Sequence, residues 1–109
     1  MGAIIVTKDT ELMQRVIDEI KTCFDPEIPV DIWELGLIYE LHLDDEANLN
    51  VVMTLTSPNC PVAESLPAEV EAKLRLVPGV KSANLKLTFE PSWEKDMMSE
   101  VAQLELGFM

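Results

Sequence analysis

Two runs of alternating residues constrain the fold of this chain more than any other feature. In residues 37–43 and again in residues 49–56, apolar side chains occupy alternate positions. The segment between them, residues 44–48, is polar and has the length of a hairpin loop. A period of two is typical of strands that bury one face. The sequence therefore predicts a hairpin that needs a second layer packed against its apolar face.

Apolar residues at helical spacing predict one helix before this hairpin and one after it. The first helix covers residues 11–24 and should stop near Asp25, because Pro26 disfavours helical geometry in the residue before it. The second covers residues 61–77 and contains Pro67, and a proline removes a hydrogen bond inside a helix. We therefore expect a kink at Pro67 or two short helical pieces.

The last third of the chain predicts one more strand and one more helix. Residues 80–89 alternate again, and Ser92 can cap a helix that follows them. The apolar positions of these two elements are Leu85, Leu87 and Phe89 in the strand and Met97, Val101 and Leu104 in the helix. The predicted order is α-β-β-α-β-α. A mixed order that includes a hairpin favours a two-layer α+β sandwich over a doubly wound sheet.

Length and charge limit the classes of function. With 109 residues, the chain is expected to form a single domain, residues 1–109. Eight basic residues against 20 acidic ones give a formal net charge of -12, so nucleic acid and anionic membranes are disfavoured as partners. No apolar run approaches the roughly 20 residues that span a bilayer, and the first residues lack the features of a signal peptide. We therefore expect a cytoplasmic protein.

The two cysteines have different sequence surroundings. Cys60 lies at a predicted strand-to-helix junction before Pro61, where partial positive charge and free N–H groups stabilise a thiolate. Its position fits a small buried residue at a helix end about as well. Cys23 continues the apolar face of the first helix, so we expect it to pack in the core. Two thiols cannot complete a four-ligand zinc or cluster site without ligands from a second subunit or another protein.

A second candidate group is the pair of carboxylates Asp25 and Glu27, which lie in a loop that two prolines restrict. Together they fit a metal site, a means of tuning a nearby thiol, or a partner contact. For each residue taken singly, an ordinary turn is the favoured interpretation.

The single histidine does not favour catalysis. His42 lies in the middle of a predicted strand, where the hairpin would place it near Asn50 and away from Cys60. This position disfavours a Cys–His nucleophilic dyad. The sequence also lacks the nucleotide-binding and hydrolase motifs GxGxxG, GxSxG, HExxH and the Walker loop.

Four segments together resemble one known family. They are residues 25–39 (DPEIPVDIWELGLIY), 53–61 (MTLTSPNCP), 77–80 (VPGV) and 89–93 (FEPSW). They are similar to the sequence blocks of the metal–sulfur cluster biosynthetic family, which includes SufT and PaaD-like proteins. The resemblance covers nearly the whole chain in order, and the chain looks like a stand-alone SufT-type protein.

The resemblance implies a small α+β domain similar to the C-terminal domain of NifU-type scaffolds, with a role in maturing iron–sulfur proteins. The residues that it implies for the site are Asp25, Glu27, Ile28, Thr56, Ser57 and Cys60. Cys60 would be the metal ligand, a transient thiolate contact for iron or an iron–sulfur cluster. Many family members have threonine in place of Ser57, and the hydroxyl is retained here. Because there is no CxxC pair, transfer or recruitment is favoured over stable cluster binding.

The main hypothesis is therefore a non-enzymatic accessory factor whose partners are iron–sulfur assembly proteins and client apoproteins. The alternative is an adaptor in which Cys60 is only structural, including a PaaD-like factor for one dedicated oxygenase. Thiol-dependent catalysis is the weakest hypothesis, because no base is evident near Cys60. The sequence leaves the clients, the cluster type and the oligomeric state open, and a homodimer is one of the states it allows.

Overall fold

The computed structural model describes residues 3–24, 30–56 and 65–107. It contains four strands and three helices in these ranges, with one 3₁₀ turn at Lys95–Met97. The strands are β1 (Ile4–Val6), β2 (Ile38–Leu43), β3 (Asn48–Met53) and β4 (Ser82–Leu87). The helices are α1 (Thr10–Ile20), α2 (Ser65–Arg75) and α3 (Glu100–Glu105).

The four strands form one mixed sheet in the order β1-β2-β3-β4. β2 and β3 are antiparallel, which confirms the hairpin, and His42 pairs with Asn50 as expected. β1 is parallel to β2, and β4 is parallel to β3. The α+β class is confirmed, and the sequence analysis missed β1. Ile4–Val6 is a short continuous apolar run, which gives no alternation to mark a strand.

One face of the sheet and two helices enclose the core. The face contributes alternate side chains, and α1 and α2 contribute their apolar stripes. The most deeply buried of these residues are Val16, Ile20, Leu41, Leu49, Val51, Val70 and Leu74. Arg75 in the last turn of α2 complements the negative end of the helix dipole.

The start of β2 departs from strict alternation. A bulge between Ile38 and Glu40 pairs Ile38 with Met53 and Glu40 with Val52. Ile38 therefore turns into the core, where it is 4% exposed, although alternation placed it on the polar face. Thr54 was also expected on the polar face, yet it is fully buried just beyond the end of β3.

The first helix is shorter than predicted. Its N-cap is Asp9, whose carboxylate accepts a hydrogen bond from the Leu12 N–H at 3.0 Å. The helix ends at Ile20, and the chain leaves it through a turn before Cys23. The predicted end at residue 24 was wrong because Phe24 forms a β-bridge instead.

The helix is continuous between Ser65 and Arg75, so within this range it does not divide into two pieces at Pro67. Pro67 lies in the first turn of this range, where its own missing N–H breaks no hydrogen bond within the range. The predicted start of this helix at Pro61 lies outside the described residues.

The C-terminal segment differs most from its prediction. β4 ends at Leu87, so Phe89 lies beyond the strand and is 36% exposed. The cap of α3 is Ser99, whose hydroxyl accepts from the Ala102 N–H, whereas Ser92 was expected to cap a longer helix. The residues that α3 and the preceding turn bury are Met98 and Ala102, while Val101 and Leu104 are exposed.

Gly36 fixes this C-terminal segment against the start of the sheet. Its φ is +79°, a left-handed conformation that favours glycine. A Cβ at this position would collide with the backbone carbonyl of Met97. The close approach lets the segment that contains Met97 cross over the turn that leads into β2.

Candidate functional site

The residues predicted for the site belong to two segments that are predicted to be loops. Most of these residues fall outside the described ranges: Asp25, Glu27, Ile28, Ser57 and Cys60. Thr56 is described: it is half-buried and follows β3 at a bend. The residues on either side of both loops are described, and they show where each loop is attached to the rest of the protein.

Two contacts hold the ends of the first loop, residues 25–29. Phe24 and Asp31 form an antiparallel bridge, and the Ile32 N–H donates to the Cys23 carbonyl at 2.9 Å. Asp31 then begins a turn, since its Oδ1 accepts from the N–H groups of Trp33 and Glu34, both at 3.0 Å. The turn continues to Gly36. The loop that carries Asp25 and Glu27 therefore departs from and returns to one place.

A short run of backbone hydrogen bonds connects this place to the second loop, residues 57–64. The Leu37 N–H donates to the Ile32 carbonyl at 3.1 Å, and the Thr54 N–H donates to the Leu37 carbonyl at 2.8 Å. Thr54 precedes Thr56 by two residues, and the second loop begins directly after Thr56. Both loops are therefore anchored at the same end of the sheet.

Burial changes the pKa of Asp31, the residue at the end of the first loop. Desolvation raises the pKa of Asp31 above its usual value, while the N–H groups of Glu34 and Trp33 act in the opposite direction. Asp31 is thus a structural cap whose ionised form costs some desolvation.

Cys23 is suited to packing and not to ligation. Its side chain is 1% exposed, and its thiol contacts the Glu19 carbonyl at 3.8 Å. Burial raises the pKa of the Cys23 thiol, and Lys73 counteracts this only in part. Since the thiolate is the form that binds metal, the expectation of core packing for Cys23 is confirmed.

The second loop leads directly into α2. A helix N-terminus presents free N–H groups and partial positive charge to the residues that precede it. The described first turn of α2 contains no acidic side chain that would offset this charge. Cys60 precedes the described start of α2 in the chain, and the prediction that it lies at the helix N-terminus concerns residues outside the described ranges.

The described part of the chain gives two negative findings. No three of its histidine, cysteine, aspartate and glutamate side chains come together in a way that could hold a metal ion. None of its helices has both the length and the apolar character needed to cross a membrane.

A groove lies on the face of the sheet that α1 and α2 leave uncovered. Its volume is about 690 Å³, and the C-terminal segment forms one wall. Tyr39 joins that wall to the sheet, because its hydroxyl donates to the Pro91 carbonyl at 2.7 Å. Trp93 fixes the same wall through its indole N–H, which donates to the Leu35 carbonyl at 2.7 Å. The sequence favours core or rim packing for Trp33 and Trp93 and allows Trp93, at its strand-helix corner, to line a groove. Both are half-buried, and Trp33 is the one that lines this groove.

Comparison with known proteins identifies relatives along most of this chain. The family model described as iron–sulfur cluster assembly protein matches residues 13–86. An Fe–S protein maturation auxiliary factor of Porphyromonas gingivalis is 49% identical over 96 residues, which are 88% of this chain and 91% of the relative. The Fe–S protein maturation auxiliary factor SufT of Staphylococcus aureus is 40% identical, over 76% of this chain and 94% of the relative.

A solved structure supports the same assignment. The crystal structure of a domain of unknown function (DUF59) from Bacillus anthracis superposes with a TM-score of 0.84 at 32% identity. It covers 92% of this chain, and this chain covers 95% of it. Together with the family model and the curated relatives, this match confirms the resemblance seen in the sequence. This chain belongs to the iron–sulfur cluster assembly protein family.

Proposed function

We propose that this protein is an auxiliary factor in the maturation of iron–sulfur proteins. It would present Cys60 as a transient thiolate ligand to iron or to an iron–sulfur cluster, which is cargo and not a resident cofactor. The observation that carries the proposal is the common anchor of the two loops at one end of the sheet. Relatives that are named as maturation auxiliary factors support it.

The other loop residues have supporting roles in this proposal. Asp25 and Glu27 would shape the charge around the thiolate or contact iron, with Ile28 beside them in the same loop. Thr56 and Ser57 would donate hydroxyl hydrogen bonds to the sulfur, and hydrogen bonds to the charged form favour that form. Because Cys23 is buried, Cys60 is the thiol that this chain can offer.

The proposed role is not catalytic, and its partners are assembly proteins and client apoproteins in the cytoplasm. A pure adaptor is the second candidate, and the exposed groove favours it because a partner surface needs no thiol. The two candidates differ in what they require of Cys60.

The test is maturation of an iron–sulfur enzyme in cells that lack the native gene for this protein. We expect wild type and Cys23→Ser to restore the enzyme's activity and Cys60→Ser to fail, at equal protein levels. Full restoration by Cys60→Ser would remove the thiol from the mechanism and leave the adaptor. Asp25→Asn and Glu27→Gln, tested singly and together, would show whether the carboxylates contribute.

A further inference from the structure

The two outer strands of the sheet differ in how their free backbone groups are treated. The outer side of β4 is covered by side chains from α2. Glu71 accepts a hydrogen bond from the Leu85 N–H at 2.9 Å, and the Arg75 Nε donates to the Ala83 carbonyl at 3.2 Å. Glu71 and Arg75 also pair with each other at 2.8 Å. These contacts use backbone groups that would otherwise be free to pair with another strand.

The outer side of β1 has no such protection among the described residues. β1 pairs only with β2, and its backbone makes no other hydrogen bond within the described ranges. Its side chains are all apolar and all exposed: Ile4 by 59%, Ile5 by 44% and Val6 by 52%. An exposed apolar edge strand is a template for an added strand.

The groove lies next to β1, on the face of the sheet to which Ile4 belongs. Ile4 borders it and is in register with Glu40 of β2, which also lines it. Apolar side chains that include Trp33 and Val52 form much of the lining. A strand added beyond β1 would therefore lay alternate side chains next to Ile4 and towards the groove.

Charge selects the kind of partner. Glu34, Glu40 and Glu90 line the groove against a single ammonium group, that of Lys86. The whole chain carries a formal net charge of -12, which opposes association with a second copy of itself. Lysine and arginine have aliphatic stems that can cover apolar surface while the charged end reaches a carboxylate.

We propose that β1 and the adjacent groove bind an extended segment of a partner protein by strand addition. In that segment basic side chains would alternate with apolar ones. The basic side chains would lie on the groove face beside Ile4, and the apolar ones would lie on the opposite face beside Ile5. This docking surface goes beyond the proposed thiol chemistry and does not depend on Cys60, iron or sulfide.

The test uses a fluorescein-labelled heptapeptide in which lysine and valine alternate, titrated with metal-free protein and followed by fluorescence anisotropy. Saturable binding is expected, and the affinity should fall as salt rises, since exposed charges are screened. A peptide with glutamate in place of lysine should not bind. Failure of the lysine peptide to bind, or equal binding of both peptides, would overturn the proposal.

Two further peptides test strand addition itself. One has N-methyl groups on the valine nitrogens and the other on the lysine nitrogens, so their charge is identical. Alternate N–H groups of a strand point to opposite sides, so only one of the two peptides should lose affinity. Equal affinities for the two would show attraction by charge alone and would overturn the proposal.

A matched pair of protein variants locates the surface. Ile4→Lys on β1 should weaken binding about fivefold, near the upper limit for a cross-strand pair, whereas Asn84→Lys on β4 adds the same charge and should change it little. Glu90→Gln should weaken binding about twofold, and Glu100→Gln, outside the groove lining, should not. Equal losses within each pair would overturn the proposal.

A wild-type dimer in sedimentation that Ile4→Lys dissociates would assign this edge to a second copy and would also overturn the proposal.

Discussion

The two edge strands of the sheet differ in whether side chains occupy their outer backbone groups. At β4, Glu71 and Arg75 occupy the backbone groups of the outer side. At β1, all three apolar side chains are exposed, and one of them, Ile4, lines a groove with excess negative charge. An edge that is not used needs protection against pairing, and an edge that binds a partner must remain free. The covered edge of β4 therefore supports the fold, whereas the free edge of β1 leaves backbone groups available to a partner strand.

Removal of the cover from β4 should produce the largest effect. Glu71→Ala leaves the Leu85 N–H without its carboxylate partner, and a hydrogen bond to a charged group contributes about 2 kcal/mol. We expect the free energy of unfolding to fall by about that amount in urea denaturation. Glu69→Ala, an exposed change on the same helix, is the matched control and should cost less than about 0.5 kcal/mol.

A loss no greater than that of the control would show that the β4 edge is not held by Glu71. The Arg75→Ala variant and the Glu71→Ala/Arg75→Ala double variant complete a cycle. Because the two side chains contact each other and the same strand, their effects should not add.

A polar substitution on β1 should have a smaller effect. Val6→Thr changes a half-exposed side chain at the free edge and should alter the free energy of unfolding by less than about 0.5 kcal/mol. The matched change Val51→Thr in central strand β3 buries a hydroxyl where the side chain is 1% exposed, and should cost about 1–3 kcal/mol. Equal costs in thermal unfolding would mean that β1 supports the core as much as β3 does.

A substitution of Asp44, in the loop between β2 and β3, should have the smallest effect. The effect should be seen in how the free energy of unfolding depends on pH. Asp44 accepts from the backbone N–H and the side-chain amide of Asn48 and also from the N–H of Glu46, and these bonds lower its pKa below the ordinary value of 3.8. The stabilising contribution is therefore present above pH 3.8 and is lost as pH falls through the lower pKa of the folded state. Asp44→Asn should reduce the pH dependence of unfolding in this acidic range.

The same pH response should be retained in the edge variant Val6→Thr, because this substitution removes no titratable group and no hydrogen-bond partner of Asp44. A wild-type pH profile in Asp44→Asn would contradict the assignment of this response to Asp44.

The sequence predicted the central hairpin because alternation is a direct consequence of strand geometry. It did not predict the bulge between Ile38 and Glu40, since an apolar side chain such as Ile38 also fits the outer face of a regular strand. It placed the end of β4 too late because the alternation continues to Phe89, beyond the last pairing with β3. Periodicity identifies elements well and locates their ends poorly.

The candidate site was predicted in a different way. Helix-terminus physics singled out Cys60, and apolar spacing predicted that Cys23 would be buried. The spacing of Asp25 and Glu27 in a proline-restricted loop made them candidates, and the resemblance to a family favoured their functional interpretation. Thr56 came from the resemblance alone, since a hydroxyl in a loop has no periodicity. The groove depends on how the C-terminal segment crosses the sheet, a tertiary contact that local sequence does not encode.

The most direct test of the central claim is anaerobic reconstitution with iron and sulfide, followed by absorption spectroscopy. We predict thiolate-to-iron charge-transfer bands in wild type and in Cys23→Ser, and their loss in Cys60→Ser. Circular dichroism would establish that all three proteins are equally folded. Bands of wild-type intensity in Cys60→Ser, or their absence from folded wild type, would contradict the account.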